Sequence, residues 1–382
     1  MKYQIKIDGE DVFDFDENHT LRSPVLQMEL NAAGSLEFTM TPNHINYDLP
    51  KILTSDVEVW EDGTIIWFGR IVEIEVDIYN QKKIYCEGAL AYFNDTIQRP
   101  YEYDSYSYNT STGDSGNEAD NKNQDTNTND VIDSEGISIK DFFEILISNH
   151  NMYAPSNRQF TVGVVEIADF FVYRKLDYET TFEALKKMCL DAEGGYLITR
   201  KENGINYIDW VKEVTGVSDQ PVEFAVNLQD ISQIMDYKDF KTAVIPIGEE
   251  NENGVKATCI DENHTEDYLT SEAADTYGKI FQVVQFSGLT LPQDLYEAGE
   301  KWLKDKQWDN ISIEVEASDL SYLSDDYTSF KMGQNVHCTS TPNLIDKTLP
   351  IVKMQINLDS TSKQLTIGTI KHRDLTEIYK EN

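Results

Sequence analysis

The stretch Asp56-Val57-Glu58-Val59-Trp60, followed by Arg70-Ile71-Val72-Glu73-Ile74-Glu75-Val76 and then Lys83-Ile84-Tyr85-Cys86-Glu87-Gly88, alternates aliphatic and polar residues across three runs separated by turns. A period of two puts every second side chain on one face, so the stretch reads as a three-strand antiparallel unit with one buried face. The pattern recurs near the other end. There Asn335-Val336-His337-Cys338 leads through a turn to Ile351-Val352-Lys353-Met354-Gln355-Ile356-Asn357-Leu358, and another turn leads to Gln364-Leu365-Thr366-Ile367-Gly368. Both units end in glycine. Evenly spaced strands with this patterning favour barrels or sandwiches, which remove exposed sheet edges. The repeat therefore predicts a mainly β chain with two related antiparallel β-barrel domains plus smaller α+β domains.

Between the units the pattern changes. From Asp104 to Asp130 the chain is Ser, Thr, Asn, Asp and Gly, with no large apolar residue between Tyr108 and Val131, and reads as a long mobile loop. Its Asp125-Thr126-Asn127-Thr128-Asn129-Asp130 lacks the turn glycine and closing Glu of a calcium loop. Beyond it, Ser138 with Asp141 caps a helix carrying Ile139, Phe142, Phe143 and Leu146 on one side. A second helix starts at Thr180 with Glu183 three residues on, buries Phe182, Leu185 and Cys189, and stops at Gly194-Gly195. Asn203-Gly204 then turns a hairpin between Tyr196–Thr199 and Ile205–Trp210. The expected boundaries are 1–100 with 205–240 for the first barrel, 101–134 for the loop, 135–204 for an α+β domain, 241–256 with 310–382 for the second barrel, and 257–309 for a small helix-containing domain. The N-terminal Tyr3-Gln4-Ile5-Lys6-Ile7 reads as an edge strand.

The 382 residues hold 68 acids against 32 Lys and Arg, a net charge of −36, so no basic face offers itself to phosphates and sequence-specific nucleic-acid binding is excluded. That charge is either ordinary solvation or a functional negative wall. The most apolar run, Ile65-Ile66-Trp67-Phe68-Gly69-Arg70-Ile71-Val72, is broken by Arg70 and far shorter than the ~20 residues of a bilayer span, so no membrane insertion is expected. No signal-peptide apolar region opens the chain. Cys86, Cys189, Cys259 and Cys338 are scattered and read as reduced, buried fillers.

Chemistry is hard to find. His19, His44, His150, His264, His337 and His372 show no zinc-peptidase spacing, and no nucleophile elbow, phosphate loop or dinucleotide fingerprint occurs. His150 reads as a donor to the terminal carbonyls of the first helix. Trp60, Trp67, Trp210, Trp302 and Trp308 read mostly as core, with Trp302 at helical spacing from Leu295 and Gly299. No catalytic residue, metal ligand or cofactor site is assigned.

Several strings, taken in order, resemble the N-terminal hub region of phage minor structural proteins, also called the prophage endopeptidase tail or tail-associated lysin family. They are Asn80-Gln81-Lys82-Lys83-Ile84-Tyr85-Cys86-Glu87-Gly88-Ala89-Leu90-Ala91-Tyr92-Phe93-Asn94-Asp95, Ile97-Gln98-Arg99-Pro100, Asp191-Ala192-Glu193-Gly194-Gly195-Tyr196-Leu197, Asn227-Leu228-Gln229-Asp230-Ile231, Thr242-Ala243-Val244-Ile245-Pro246-Ile247-Gly248 and Tyr277-Gly278-Lys279-Ile280. The resemblance implies a non-enzymatic baseplate hub at a virion tail tip, assembled in the host cytoplasm. It implies a homotrimer whose paired barrels match a six-fold tail tube ring or distal tail protein, with the tape-measure protein C-terminus and a tip, fibre or lysin protein as further partners. Family members often continue into a lysin or fibre domain, which is not expected after Asn382. A ring through which DNA passes gains from a negative lumen, and Glu73, Glu75 and Asp77, with Asp325 and Asp326, are the candidate lumen-facing acids. The alternatives are a tail-associated cell-wall hydrolase, which would need a positioned acid, base or metal, and a surface adhesin or glycan-binding β protein.

Overall fold

A computed structural model describes residues 3–14, 19–103, 137–168, 171–172, 174–214, 216–235, 240–250, 254–262, 264–286, 289, 291–307, 311–360 and 362–368. The expected loop from Asp104 to Asp130, with its calcium-like string, and the residues Trp308 and His372 lie outside these. The chain divides into one unit of Met1–Gln229 with Glu316–Leu365 and a second of Asp230–Val315 with Thr366–Asn382.

The first unit is built on antiparallel strands. They are β1 (Tyr3–Ile7), β2 (Glu10–Phe13), β3 (Arg22–Glu29), β4 (Ser35–Met40), β5 (Asp56–Glu61), β6 (Thr64–Val76) and β7 (Lys82–Gly88). The sheet runs β3-β4-β7-β6-β5-β1-β2, and strand Ile345–Asn357 joins it beside β3, pairing Lys353 with Glu29 and Asn357 with Val25. The sequence repeat is visible in the structure: β5-β6-β7 and the strands Asn335–Ser340, Ile345–Asn357 and Ser362–Gly368 are both meanders around a 13-residue central strand. The mainly β, antiparallel fold class is as expected. Alternation fills the interior, with Ile5, Ile7, Leu36, Phe38, Val57, Val59, Ile84 and Cys86 buried from one end and Val336, Cys338, Met354 and Ile356 from the other. Each such aliphatic side chain contributes about 1.5–3 kcal/mol on full burial.

One expectation is corrected. Strand β1 is interior, because β2 folds back beside it and β5 pairs on its other side, so β2 holds the edge. The Asp8-Gly9 turn, with both residues at positive φ, makes that reversal.

Gly88, which ends β7, is required by a close approach. A Cβ there would lie 1.8 Å from the Ala33 carbonyl oxygen and 2.9 Å from Trp67 Nε1. The turn is followed by Ala89, Leu90, Tyr92 and Phe93, all buried.

Helix α1 (Ile139–Tyr153) begins as the sequence predicts, with Ser138 Oγ accepting from Asp141 N at 3.2 Å. Helix α2 (Thr181–Leu185) has the full reciprocal capping box between Thr180 and Glu183. A π-helical turn at Lys186–Leu190 continues it, and the chain leaves through Gly194 at φ 78° and Gly195 at φ 87°. Strands Tyr196–Glu202 and Ile205–Val211 form the expected hairpin, with Asn203 and Gly204 both at positive φ. Thr161–Val165 adds a parallel third strand to it. Phe142, Phe143, Leu146, Leu185 and Cys189 share one core with Phe68, Leu90, Tyr92, Phe93 and Trp210, so the helices pack on residues that immediately follow β7.

In the second unit, Ala243–Glu250 is flanked by Lys256–Thr258, Leu269–Thr270 and Phe281–Gln285. Helix Pro292–Gln307 covers one face, where Leu295 and Leu303 meet Val244, Cys259 and Leu269. Gly299 lets the helix approach Pro246, as the Leu295, Gly299 and Trp302 spacing implies, and Trp302 is partly buried against this core. All four cysteines are free and buried.

Candidate assembly site

Each described histidine is engaged structurally. His44 Nε2 reaches the Val12 carbonyl at 2.8 Å, His19 pairs with Asp14, His264 with Asp261 and His337 with Asp346. His150 is fully buried, but its ring does not serve the α1 carbonyls, which corrects the helix-end reading. Its Nε2 donates to the Arg158 carbonyl at 3.0 Å and its Nδ1 accepts from Thr96 Oγ1 at 2.8 Å. That arrangement suits a neutral ring, and burial lowers its pKa against the opposing pull of the Arg158 carbonyl and Asp95. The Thr96 hydroxyl also meets Thr181 Oγ1 at 2.8 Å, which takes a bond from Gln98 Nε2 at 2.8 Å. The network ties the segment after β7 to both helices.

A second buried network crosses the first unit. Lys363 Nζ lies 2.9 Å from Asp319 Oδ2 and 3.4 Å from Glu61 Oε1, and it also meets Ser329 Oγ. Asp319 Oδ1 accepts from Gln220 Nε2 at 2.9 Å and from Ser321 N at 3.0 Å, while Tyr3 OH donates to Glu61 Oε1 at 2.8 Å. Burial alone would raise the Asp319 pKa, but Lys363 and the bonds from Ser321 and Gln220 outweigh it and hold the carboxyl at about 2. Five separated segments meet here, with two carboxylates gathered on one lysine. Nothing in it is open to a substrate.

Among the described residues no group of three or more His, Cys, Asp or Glu side chains stands in metal-holding geometry. A cavity of about 300 Å³ in the second unit is lined by His264, Tyr268, Tyr296, Glu266, Glu300 and their neighbours. Its histidine is stacked on Tyr296 at 3.7 Å and turned to Asp261 at 3.0 Å.

The outward surface carries the more informative features. Glu73 and Glu75 stand exposed on β6 opposite Tyr85 and Lys83. Lys83 Nζ bonds Glu37 Oε1 at 2.9 Å, and this bond and charge first, then Glu75 and Glu73, raise the lysine pKa. The acids therefore share their strand face with one cation. Asp77 closes the β6–β7 turn, its Oδ1 accepting from Tyr79 N and Gln81 N, both at 2.8 Å. Asp325 and Asp326 are exposed in the turn after Leu320–Tyr322, with Asp326 Oδ2 accepting from Ser324 Oγ at 3.0 Å. The structure brings Glu73, Glu75 and Asp77 together along one hairpin and places Asp325 and Asp326 in a separate turn.

The β6–β7 turn also presents Ile78 at 88% and Tyr79 at 70% exposure. It is braced: Tyr47 OH donates to the Asn80 carbonyl at 2.5 Å and Lys82 Nζ to the Tyr47 carbonyl at 2.6 Å. Two adjacent large side chains are thus held out on a braced turn. The signal was present in the sequence, since Asp77-Ile78-Tyr79-Asn80 places two apolar residues inside a turn, where polar ones are usual.

Comparison with known proteins agrees with the fold. Residues 218–378 match the family described as prophage endopeptidase tail, so the resemblance stated above holds over that stretch. A comparison of the sequence with curated proteins finds no match. The structure is similar to a prophage tail protein from Listeria monocytogenes EGD-e, with a TM-score of 0.59, 14% identity, and 100% of this chain and 98% of that chain covered. It is similar to the 43 kDa tail protein of prophage MuSo2 from Shewanella oneidensis, with a TM-score of 0.62, 10% identity and coverage of 97% and 98%. A tail protein from Neisseria meningitidis MC58 matches with a TM-score of 0.60, 13% identity and 97% of each chain. The chain thus has a fold found in phage tail proteins.

Proposed function

We propose that this chain is a structural, non-enzymatic baseplate hub of a phage or phage-tail-like particle, linking the tail tube to the tip and to host-contacting proteins. The observation that carries the reading is likeness of fold over essentially the whole length of three tail proteins, rather than over a single domain. The buried polar networks support it, because they join distant segments into a stiff body instead of holding reactive groups at an opening.

In this reading the hub is a homotrimer, and its partners are the tail tube ring or distal tail protein, the tape-measure C-terminus and a tip, fibre or lysin protein. The braced Ile78–Tyr79 tip is the surface that meets the adjoining ring. Glu73, Glu75, Asp77, Asp325 and Asp326 belong to a negative lumen wall that keeps passing DNA from sticking.

Gold labelling of an epitope-tagged chain in assembled particles tests the assignment. Label confined to the distal end of the tail is expected, and label along the tube or on the head would remove the hub reading. The rival function is a tail-associated cell-wall hydrolase, and a cell-wall zymogram checks it. No clearing is expected from the purified chain.

A further inference from the structure

Among the described residues, the second unit has one strand edge with no charge, proline or bulge on it. Ala243–Glu250 pairs antiparallel with Lys256–Thr258 and Leu269–Thr270 on one side and parallel with Phe281–Gln285 on the other. Among the described residues, Ala243–Glu250 is the only strand that pairs with Phe281–Gln285. The parallel ladder fixes which groups face outward. The Ile280 carbonyl accepts from Ala243 N at 3.1 Å and Phe286 N donates to the Ile247 carbonyl at 2.8 Å. By the alternation of a ladder, residues 280, 282, 284 and 286 bond inward, while Phe281, Val283 and Gln285 direct their N–H and C=O to the open edge.

Side chains follow the same division. Val284 and Phe286 pack against the core under helix Pro292–Gln307, whereas Phe281 and Val283 are 45% and 53% exposed. The strand Phe281-Gln282-Val283-Val284-Gln285 has no charge and no proline, and its pairing shows no bulge. Natural edges are normally blunted by one of those three. Phe281 is held edge-on to Tyr268 at 5.4 Å, so the exposed ring is already positioned.

We propose that this edge pairs antiparallel with the same strand of a second copy of the chain, about a two-fold axis through Val283. In that register Val283 opposes Val283 and Phe281 opposes Gln285, so the three outward-facing residues of each copy all fall into hydrogen-bonded pairs. The strand is complementary to itself in backbone pattern and in its lack of charge. Charge also selects this surface, because a chain of net −36 repels its own copies across most of its exterior, and an uncharged strand is where two copies can meet. The nearest cation in sequence, Lys279, is held by the Tyr268 hydroxyl at 2.7 Å. This contact is independent of the hub reading; where both hold, it joins one trimer to another.

Native mass spectrometry and sedimentation of the full chain over a concentration series test the pairing, with Val283→Pro and Val283→Lys beside the wild type. The proline removes an outward N–H and leaves the inward ladder intact, and the lysine sets like charges against each other at the two-fold axis. Leu344→Lys, at another exposed position, is the control. The expected result is a wild-type and control mass twice that of both Val283 variants, each of which still unfolds cooperatively. Amide exchange at Phe281, Val283 and Gln285 should slow as wild-type concentration rises. A fall from six copies to three supports the pairing together with the trimer, and a fall from two to one supports the pairing and sinks the trimer. Three copies in every variant keeps the trimer and overturns the pairing. So does exchange at Val283 that is fast at every concentration, whichever variants fold.

Discussion

Lys363 Nζ and Asp319 Oδ2 stand 2.9 Å apart with each residue only 1% exposed, and the pair joins a late strand to the loop ahead of the second meander. Removing one partner leaves the other charged and dry. Lys363→Met is therefore expected to destabilise the chain by about 3–5 kcal/mol, measured by denaturant unfolding. Replacing Lys363, Asp319 and Glu61 together by apolar residues should cost much less than Lys363→Met alone.

The same aspartate contributes an acid limb. Its folded pKa of about 2 lies below its ordinary 3.8, so its stabilisation is full above about pH 4 and shrinks as pH falls toward 2. The contribution is about 2 kcal/mol. Unfolding of Asp319→Asn between pH 5 and 2 should show a correspondingly shallower loss than the wild type, and equal slopes would show that the carboxyl is not held down.

His150 acts in a higher window. Its lowered pKa means the unfolded chain takes up its proton first, so stability is retained above about 6.5 and declines as pH falls below it. His150→Gln should flatten that part of the melting-temperature profile, while costing stability at neutral pH through the lost bonds to Thr96 and Arg158.

Gly88→Ala places a methyl 1.8 Å from the Ala33 carbonyl oxygen, and backbone is the obstacle. A cost at or above the usual 1–3 kcal/mol of overpacking is expected in urea unfolding. Gly63→Ala is the comparison, with nothing within 4 Å and only the strain of its φ of 81° to carry.

Ile78→Asp with Tyr79→Ser should leave the melting temperature nearly unchanged, because both side chains are exposed. Tail assembly is the sensitive readout. In complementation of a tail-defective strain, particle yield should fall, and full yield would remove the tip from the proposed contacts.

Local structure was legible because its causes are local. The Ser138 and Thr180 caps, the Asn203-Gly204 turn, the Gly194 stop and the period-two alternation of β5, β6 and β7 each depend on a few neighbouring residues. What the sequence hid depends on distant partners. Nothing near Glu29 announces Lys353, and β1 reads as an edge until β2 is known to return beside it. His150 looks like a helix-end donor because its true partners, Thr96 and the Arg158 carbonyl, belong to other segments. Lys363 falls in register with the inward Leu365 and Ile367, where a lone charge would be costly, and only the meeting of Glu61, Asp319 and Ser329 explains its burial.

The pairing of β3 with Ile345–Asn357 also sets a timetable. Glu29 leaves the ribosome more than 300 residues ahead of Lys353, its partner across the ladder. At elongation rates of about 5–20 residues per second that interval is roughly 15–60 s. Throughout it one side of β3 has no neighbour, and for most of it β4, β6 and β7 are already synthesised and able to complete the sheet on the other side. A ribosome stalled between these points would display an unfinished sheet with its hydrogen-bonding edge bare, which is the form that nascent-chain chaperones or stray strands would capture.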